Sequence, residues 1–286
     1  MKFTNKYNLP EHICRWLATD EYDYQPNTIS ITTLIGPARA WALKQINAAE
    51  LTMDYSDLLA VRYGTAIHDS LEKIGVYNSG DFREKRFSAE FMGWTITGKQ
   101  DALIDGVLRD NKSTSVWKYV KREFDDYVKQ LSGYRWLLHK NGIDVPAYAY
   151  IDFFFTDWKR SDATKGGGYP PIRYQEVRIE LMSYEPTEAW LAERLEEFSF
   201  ALGALPSCSA EDLWQAPTTY AVYRKPGQAR ALKVFPDKAA ALDFSATLPD
   251  SVVETRESKA KRCAYCSAAP FCSQYAEMKA AGRVDE

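Results

Sequence analysis

The chain has 286 residues, 45% of them apolar, 26% charged and 14% aromatic, with a mean hydropathy of −0.41. That balance fits one large folded domain, or a domain with an appendage, and no apolar run nears the roughly 18 residues of a membrane span. A net charge of −3 and a pI of 5.8 exclude a protein that coats nucleic acid by bulk charge. A local basic groove is not excluded, because Arg83 to Lys140 holds twelve Lys and Arg against eight acids.

The N-terminal stretch MKFTNKYNLPEHICRW lacks the apolar segment of a signal peptide, so a cytoplasmic location is expected. The first thirty residues mix Pro, Asp, Asn and aromatics without period and predict an irregular arm. A helix is predicted over about 37–50, with Pro37 in its first turn. A second is predicted over about 56–74, where Leu58, Leu59, Ala66, Ile67 and Leu71 keep helical spacing loosely. From Arg86 the period changes, and three strands are predicted at 87–91, 94–104 and 107–112, separated by Met92-Gly93 and Asp105-Gly106. Phe124, Tyr127, Val128, Leu131, Tyr134, Leu137 and Leu138 then mark an amphipathic helix to Lys140, closed by Asn141-Gly142. Strands are expected over 146–156 and 174–181, and a helix over 185–202. This order predicts an α/β core with a mixed sheet.

Asp-Gly is a strong signal for a two-residue hairpin, since a type I′ turn needs positive φ at both central positions. If Asp105 and Gly106 are the loop, Ile104 faces Val107, Leu103 faces Leu108, and Asp101 faces Asp110. Two carboxylates then stand opposite one another, with Lys112 on the same face as Asp110. Like charges so placed destabilise a sheet unless something neutralises them, and a divalent cation bound by hard oxygens does so. The Lys112 ammonium could hold an attacking water or offset charge developing on phosphorus.

Four segments now fall in order: Gly64-Thr-Ala-Ile-His68, Gly98-Lys-Gln-Asp101, Asp110-Asn-Lys112 and Gln130-x-x-x-Tyr134. This series resembles the motifs of PD-(D/E)XK nucleases of the RecB exonuclease type, over about residues 28–156. It occurs also in CRISPR-adaptation exonucleases and phage-encoded recombination nucleases. The phrase ISITTLIGPARAWALKQ is similar to the lead-in of phage-borne members. The resemblance implies a restriction-endonuclease-like core, a mixed central sheet flanked by helices, over 31–202. The arm would precede it over 1–30, and a cysteine-bearing segment would follow over 203–286. It implies Mg²⁺ or Mn²⁺ held by His68, Asp101, Asp110 and the Asn111 carbonyl, with Lys112 as catalytic lysine. Gln130 and Tyr134 would contact the nucleic-acid strand or orient Lys112. Glu72, one turn beyond His68, is a further candidate for a second metal.

Cys263-x-x-Cys266 with Cys272 six residues later has the spacing of metal ligands. A cytosolic chain of this size is not expected to use its five cysteines as a disulfide framework. Similar C-terminal triplets close an iron–sulfur cluster in some RecB-type nucleases, with a fourth cysteine upstream of the nuclease motifs. Here Gly36 stands where that cysteine is expected. Two candidates remain for the fourth ligand: Cys208, nearer the triplet in sequence, is favoured over Cys14, which sits in an apolar Ile-Cys-Arg-Trp turn. The resemblance implies a cluster of the 4Fe–4S type, although four thiolates also suit zinc.

Trp117-Lys-Tyr-Val-Lys-Arg122 and Tyr220–Lys233 interleave aromatics with positive charge, a mixture suited to stacking on bases and tracking phosphates. The expected activity is that of a metal-dependent DNA exonuclease. The resemblance implies recombination or repair in a bacterial or phage-infected host cytoplasm. DNA is the expected partner, together with a recombinase, helicase or single-strand annealing protein. A non-catalytic DNA-binding subunit, or an endonuclease or RNA-directed nuclease on the same scaffold, are the alternatives.

Overall fold

The computed structural model describes residues 2–19, 27–75 and 78–285. By its internal contacts the chain divides into one unit of Met1–Gly36 and Thr52–Phe200 and a second of Pro37–Leu51 and Ala201–Glu286. The sequence reading draws its main boundary near residue 202.

The chain opens with β1 (Lys2–Thr4) and α1 (Glu11–Ala18), which buries Cys14 and Leu17. The expectation of a wholly irregular arm is corrected by these two elements; residues 20–26 of it lie outside the described residues. Pro10 is the N-cap of α1, a place where its missing N–H interrupts no ladder. β2 (Thr28–Ser30) runs into α2 (Ile31–Ile35), where Ser30 Oγ accepts from the Thr33 N–H at 3.1 Å. α3 (Ala38–Ile46) follows Pro37 and stops short of residue 50, with the Asn47 amide donating back to Leu43 O at 2.8 Å. β3 (Thr52–Asp54) pairs in parallel with β1. Asp54 then caps a 3₁₀ turn over Tyr55–Leu58, which leads into α4 (Leu59–Glu72). That tighter turn is why the helical spacing of this segment is loose in the sequence.

β4 (Phe82–Phe91), β5 (Trp94–Ile104) and β6 (Val107–Thr114) form two consecutive hairpins. φ is +50° and +77° at Met92 and Gly93, and +53° and +72° at Asp105 and Gly106, the signs a type I′ turn requires. The first unit is completed by α5 (Val116–Val120), α6 (Asp125–Lys140), β7 (Tyr148–Phe155), α7 (Arg160–Ala163), β8 (Tyr174–Glu180) and α8 (Tyr184–Ala201).

Six strands make one mixed sheet, flanked by helices, in the order β2-β5-β6-β7-β8 with β4 beside β5. β6 and β7 are parallel, and α6 lies in the crossover between them. Leu131, Trp136, Leu137 and Leu138 of α6 are wholly buried, as are Ile96, Leu108, Ile151 and Phe153 of the sheet. Each such side chain contributes on the order of 1.5–3 kcal/mol relative to exposure.

In the second unit, beside α3, β9 (Thr219–Tyr223) is flanked by β10 (Lys233–Phe235) and β11 (Val252–Arg256), all antiparallel. α9 (Lys238–Ala246) packs on this sheet, and α10 (Ser273–Ala280) follows two 3₁₀ turns. A small core gathers Leu213, Ala260, Met278 and Val284. Among the described residues, no helix is long and apolar enough to cross a membrane.

Candidate active site

β5 is paired along one edge with β4. Its other edge is shared: β2 pairs with Thr95–Thr97 and β6 with Ala102–Ile104. Residues 98–101, the Gly98-Lys-Gln-Asp101 segment, therefore lie in the opening between two neighbours. The expected pairs Ile104–Val107 and Leu103–Leu108 are present and continue to Ala102–Arg109, but the ladder stops one step before Asp101 and Asp110. Asp101 Oδ2 instead accepts from the Asn111 N–H at 2.6 Å.

His68 reaches this opening from α4. Its Nδ1 lies 3.0 Å from Glu84 Oε1 on β4 and 3.5 Å from Asp101 Oδ1, and its Nε2 lies 3.2 Å from Asn111 O. Gly64, one turn earlier, lets α4 come this close, since a Cβ there would stand 3.0 Å from Ser113 Oγ on β6. His68, Glu84 and Asp101 present ligand atoms all within 4.8 Å of one another.

Asp110 is buried, and Lys112 Nζ stands 2.6 Å from its Oδ2. That contact lies outside hydrogen-bond geometry, so Oδ2 is a buried oxygen with an ionic partner and an uncommitted lone pair. Lys112 Nζ also sits 5.3 Å from the centre of the Tyr127 ring, a cation–π distance. Gln130 Nε2 lies 3.4 Å from Asp110 Oδ1 and 3.0 Å from the Tyr134 hydroxyl. Gln130 and Tyr134, expected to touch a nucleic-acid strand or orient Lys112, are both buried, and their chain of contacts ends on Asp110, the partner of Lys112. The cause is close packing, since a Cβ on Gly98 would stand 2.7 Å from Tyr134 Cε1. Glu72 is exposed at the end of α4, where its charge acts on Lys99.

Burial pushes the Asp101 carboxyl up to about 7, and the Asp110 charge pushes the same way against Lys112 and His68. Burial works to lower the His68 pKa, but the Glu84 hydrogen bond and the charges of Asp101, Glu84 and Asp110 outweigh it, and the net shift is upward. Glu84 shifts the other way: against its burial, His68 and Lys99 hold it low. The donors of the site fit a hard divalent cation: carboxylate oxygens, a main-chain carbonyl and an imidazole nitrogen, with one buried oxygen uncommitted. Glu84 carries no signal in the four motifs. The turn arithmetic could have found it, because the Met92-Gly93 hairpin places residue 84 opposite 101.

In the second unit, Cys208, Cys263, Cys266 and Cys272 line one pocket with Arg39, Leu213 and Tyr275. Cys208 is held there by Gln274, which accepts from its N–H at 2.8 Å and donates to its carbonyl at 3.0 Å. Arg39, buried, donates through Nε to Cys272 Sγ at 3.2 Å and through its other nitrogens to Pro206 O at 3.1 Å and Ser273 Oγ at 2.8 Å. Cys14 lies in the first unit on α1, within 3.5 Å of the Asn5 amide and Leu9 O. Burial pushes the Cys208 thiol up to about 12 and raises Cys263 too; a bound cation reverses that preference by stabilising thiolate. Among the described residues, no three of these sulfurs lie mutually within 4.8 Å. The edge of a zinc–thiolate tetrahedron is roughly 3.8 Å, from Zn–S bonds near 2.3 Å.

No family model matches the chain, and no curated protein matches it. Among solved structures, that of SSO0001 is similar with a TM-score of 0.47 and 18% identity, over 65% of this chain and 85% of that one. LHK-Exo, solved in complex with dAMP, is similar with a TM-score of 0.33 and 15% identity, over 61% and 91%. At these scores and identities neither assigns an activity to the chain.

Proposed function

We propose that the chain is a metal-dependent DNA exonuclease of the PD-(D/E)XK superfamily, RecB type. The observation that carries this reading is the meeting of His68, Asp101, Asp110, the Asn111 carbonyl and Lys112 at the opening between β5 and β6. His68 Nε2, Asp101, Asp110 and Asn111 O would hold Mg²⁺ or Mn²⁺. When bound, such an ion lowers the pKa of a coordinated water and offsets phosphate charge. Lys112, kept beside Asp110 and the Tyr127 ring face, is placed to orient the attacking water and to offset charge on the phosphoryl oxygens. Gln130 and Tyr134 hold Asp110 in position.

Substrate contact is supported by α5, which follows β6 directly. Trp117 is half exposed there, and the Lys121 side chain is more exposed still. An aromatic face beside ammonium groups suits a base and its phosphate. In the second unit, the four cysteines that line one pocket would hold an iron–sulfur cluster, with zinc as the alternative.

The test is digestion of end-labelled linear, nicked and closed circular DNA by purified protein with Mg²⁺, with EDTA as control. Linear DNA should be degraded and closed circles spared. Cleavage of closed circles would change the reading to endonuclease. Absence of cleavage with Mg²⁺ and with Mn²⁺ would sink it in favour of a DNA-binding subunit.

A further inference from the structure

Glu84 is an acidic residue at the opening to which the motif series gives no role. Its neighbours Arg83 and Lys85 pair with Ala102 and Gln100 of β5, and Glu84 itself, facing Asp101, drops out of the ladder. Its φ is +48°, the left-handed region that a residue with a Cβ enters only when its surroundings hold it there. The side chain is 8% exposed and fully committed: Oε1 lies 3.0 Å from His68 Nδ1, and Oε2 lies 2.8 Å from Lys99 Nζ. A distorted backbone thus serves to aim one carboxylate at one imidazole nitrogen.

Imidazole chemistry gives this contact its consequence. A carboxylate at Nδ1 fixes the proton there, and the lone pair of neutral His68 then lies on Nε2. Nε2 faces Asn111 O at 3.2 Å. A lone pair and a carbonyl oxygen face each other favourably only around a cation or a proton. We propose that Glu84, neutralised by Lys99, is a positioning residue that sets the His68 tautomer and so makes Nε2 a metal ligand. This rests on the cation site of the proposed function. Glu84 acts through His68, not on substrate.

The experiment uses the full chain with Mn²⁺ as probe. Mn²⁺ affinity is measured by electron paramagnetic resonance, and coupling of bound Mn²⁺ to an imidazole nitrogen by spin-echo modulation. Glu84→Ala should weaken Mn²⁺ binding about tenfold to a hundredfold and abolish the nitrogen coupling. Glu84→Gln, whose amide oxygen can still accept the Nδ1 proton, should keep the coupling and rescue most of the affinity. It also keeps the test alive if the alanine variant does not fold. Glu84→Ala with His68→Ala should bind no worse than His68→Ala alone. Losses that multiply would overturn the proposal, since Glu84 would then act independently of His68. So would wild-type affinity and coupling in Glu84→Ala. A second readout needs no metal. The chain has three histidines, and ¹⁵N spectra at a pH where His68 is neutral should show Nδ1–H in the wild type and a shift toward Nε2–H in Glu84→Ala. If Asp110→Ala leaves Mn²⁺ binding unchanged, the proposed cation site fails, while the tautomer measurement still decides the role of Glu84.

Discussion

Buried Asp110 and partly exposed Lys112 form an ion pair whose members have separable duties. Asp110→Ala removes a carboxylate from the cation site and should abolish cleavage and weaken Mn²⁺ binding together. Lys112→Ala should lower the rate by about 10²–10³-fold while leaving Mn²⁺ binding intact; single-turnover digestion beside a Mn²⁺ titration separates the two. If either variant cleaves near the wild-type rate, the site is misassigned. Asp101 carries the pH dependence. Its folded pKa of about 7 exceeds the ordinary 3.8, so the folded state binds its proton more tightly than the unfolded state does. Its contribution to stability is therefore full below about pH 4 and is lost as pH rises toward 7. The upward shift of His68 acts with the same sign, and its contribution disappears as pH rises through the raised folded value. Thermal melts in EDTA should show stability falling between about pH 4 and pH 7 relative to Asp101→Asn, and saturating Mg²⁺ should flatten the difference. A pH-independent gap between the two proteins would contradict the burial of this charge.

At the scale of elements, the site depends on how closely α4 rides on β6. Gly64→Ala places a methyl 3.0 Å from Ser113 Oγ, so either that hydroxyl or α4 must yield by a few tenths of an ångström, and a shift of α4 carries His68 with it. The expected cost is about 1 kcal/mol in stability and about tenfold in rate. Ser113→Ala in the same chain should restore both, as measured by urea unfolding and initial rates. The hairpins explain how much of this was legible in advance. Asp105-Gly106 specified turn and register locally, so Leu103–Leu108 could be paired from sequence alone. The same arithmetic holds one step further, at Ala102–Arg109, and fails at the next, where Asp101 turns to accept from the Asn111 N–H instead of facing Asp110; no propensity encodes that. The contacts of Gln130 with Asp110 and of Arg39 with Cys272 join distant segments; amphipathic spacing reveals which face a helix buries, but not which atom it meets. The strands β9, β10 and β11 escaped because they are short and only partly buried.

At the scale of the whole molecule, the cluster of Leu213, Ala260, Met278 and Val284 in the second unit packs against Cys208 and Cys263. A metal held by the cysteines would act as a staple on that cluster. Ser substitution at Cys208, Cys263, Cys266 or Cys272 should each release the bound metal and lower the unfolding temperature, because a site that exists only in the folded chain contributes its binding energy to folding. Cys14→Ser should do neither. Protein purified without oxygen should be brown and carry iron and sulfide in equal amounts; colourless protein with one zinc would keep the ligands and change the cofactor. A folded, metal-free wild type would remove the staple altogether. The contact of Arg39 with Cys272 spans 233 positions of chain, and this sets an order in time. While the chain is being made, at about 5–20 residues per second, α3 emerges early and its pocket has no wall until the last cysteines follow. A metal held by the four cysteines would therefore have to wait until residue 272 has left the ribosome, and until then α3 stays unclosed.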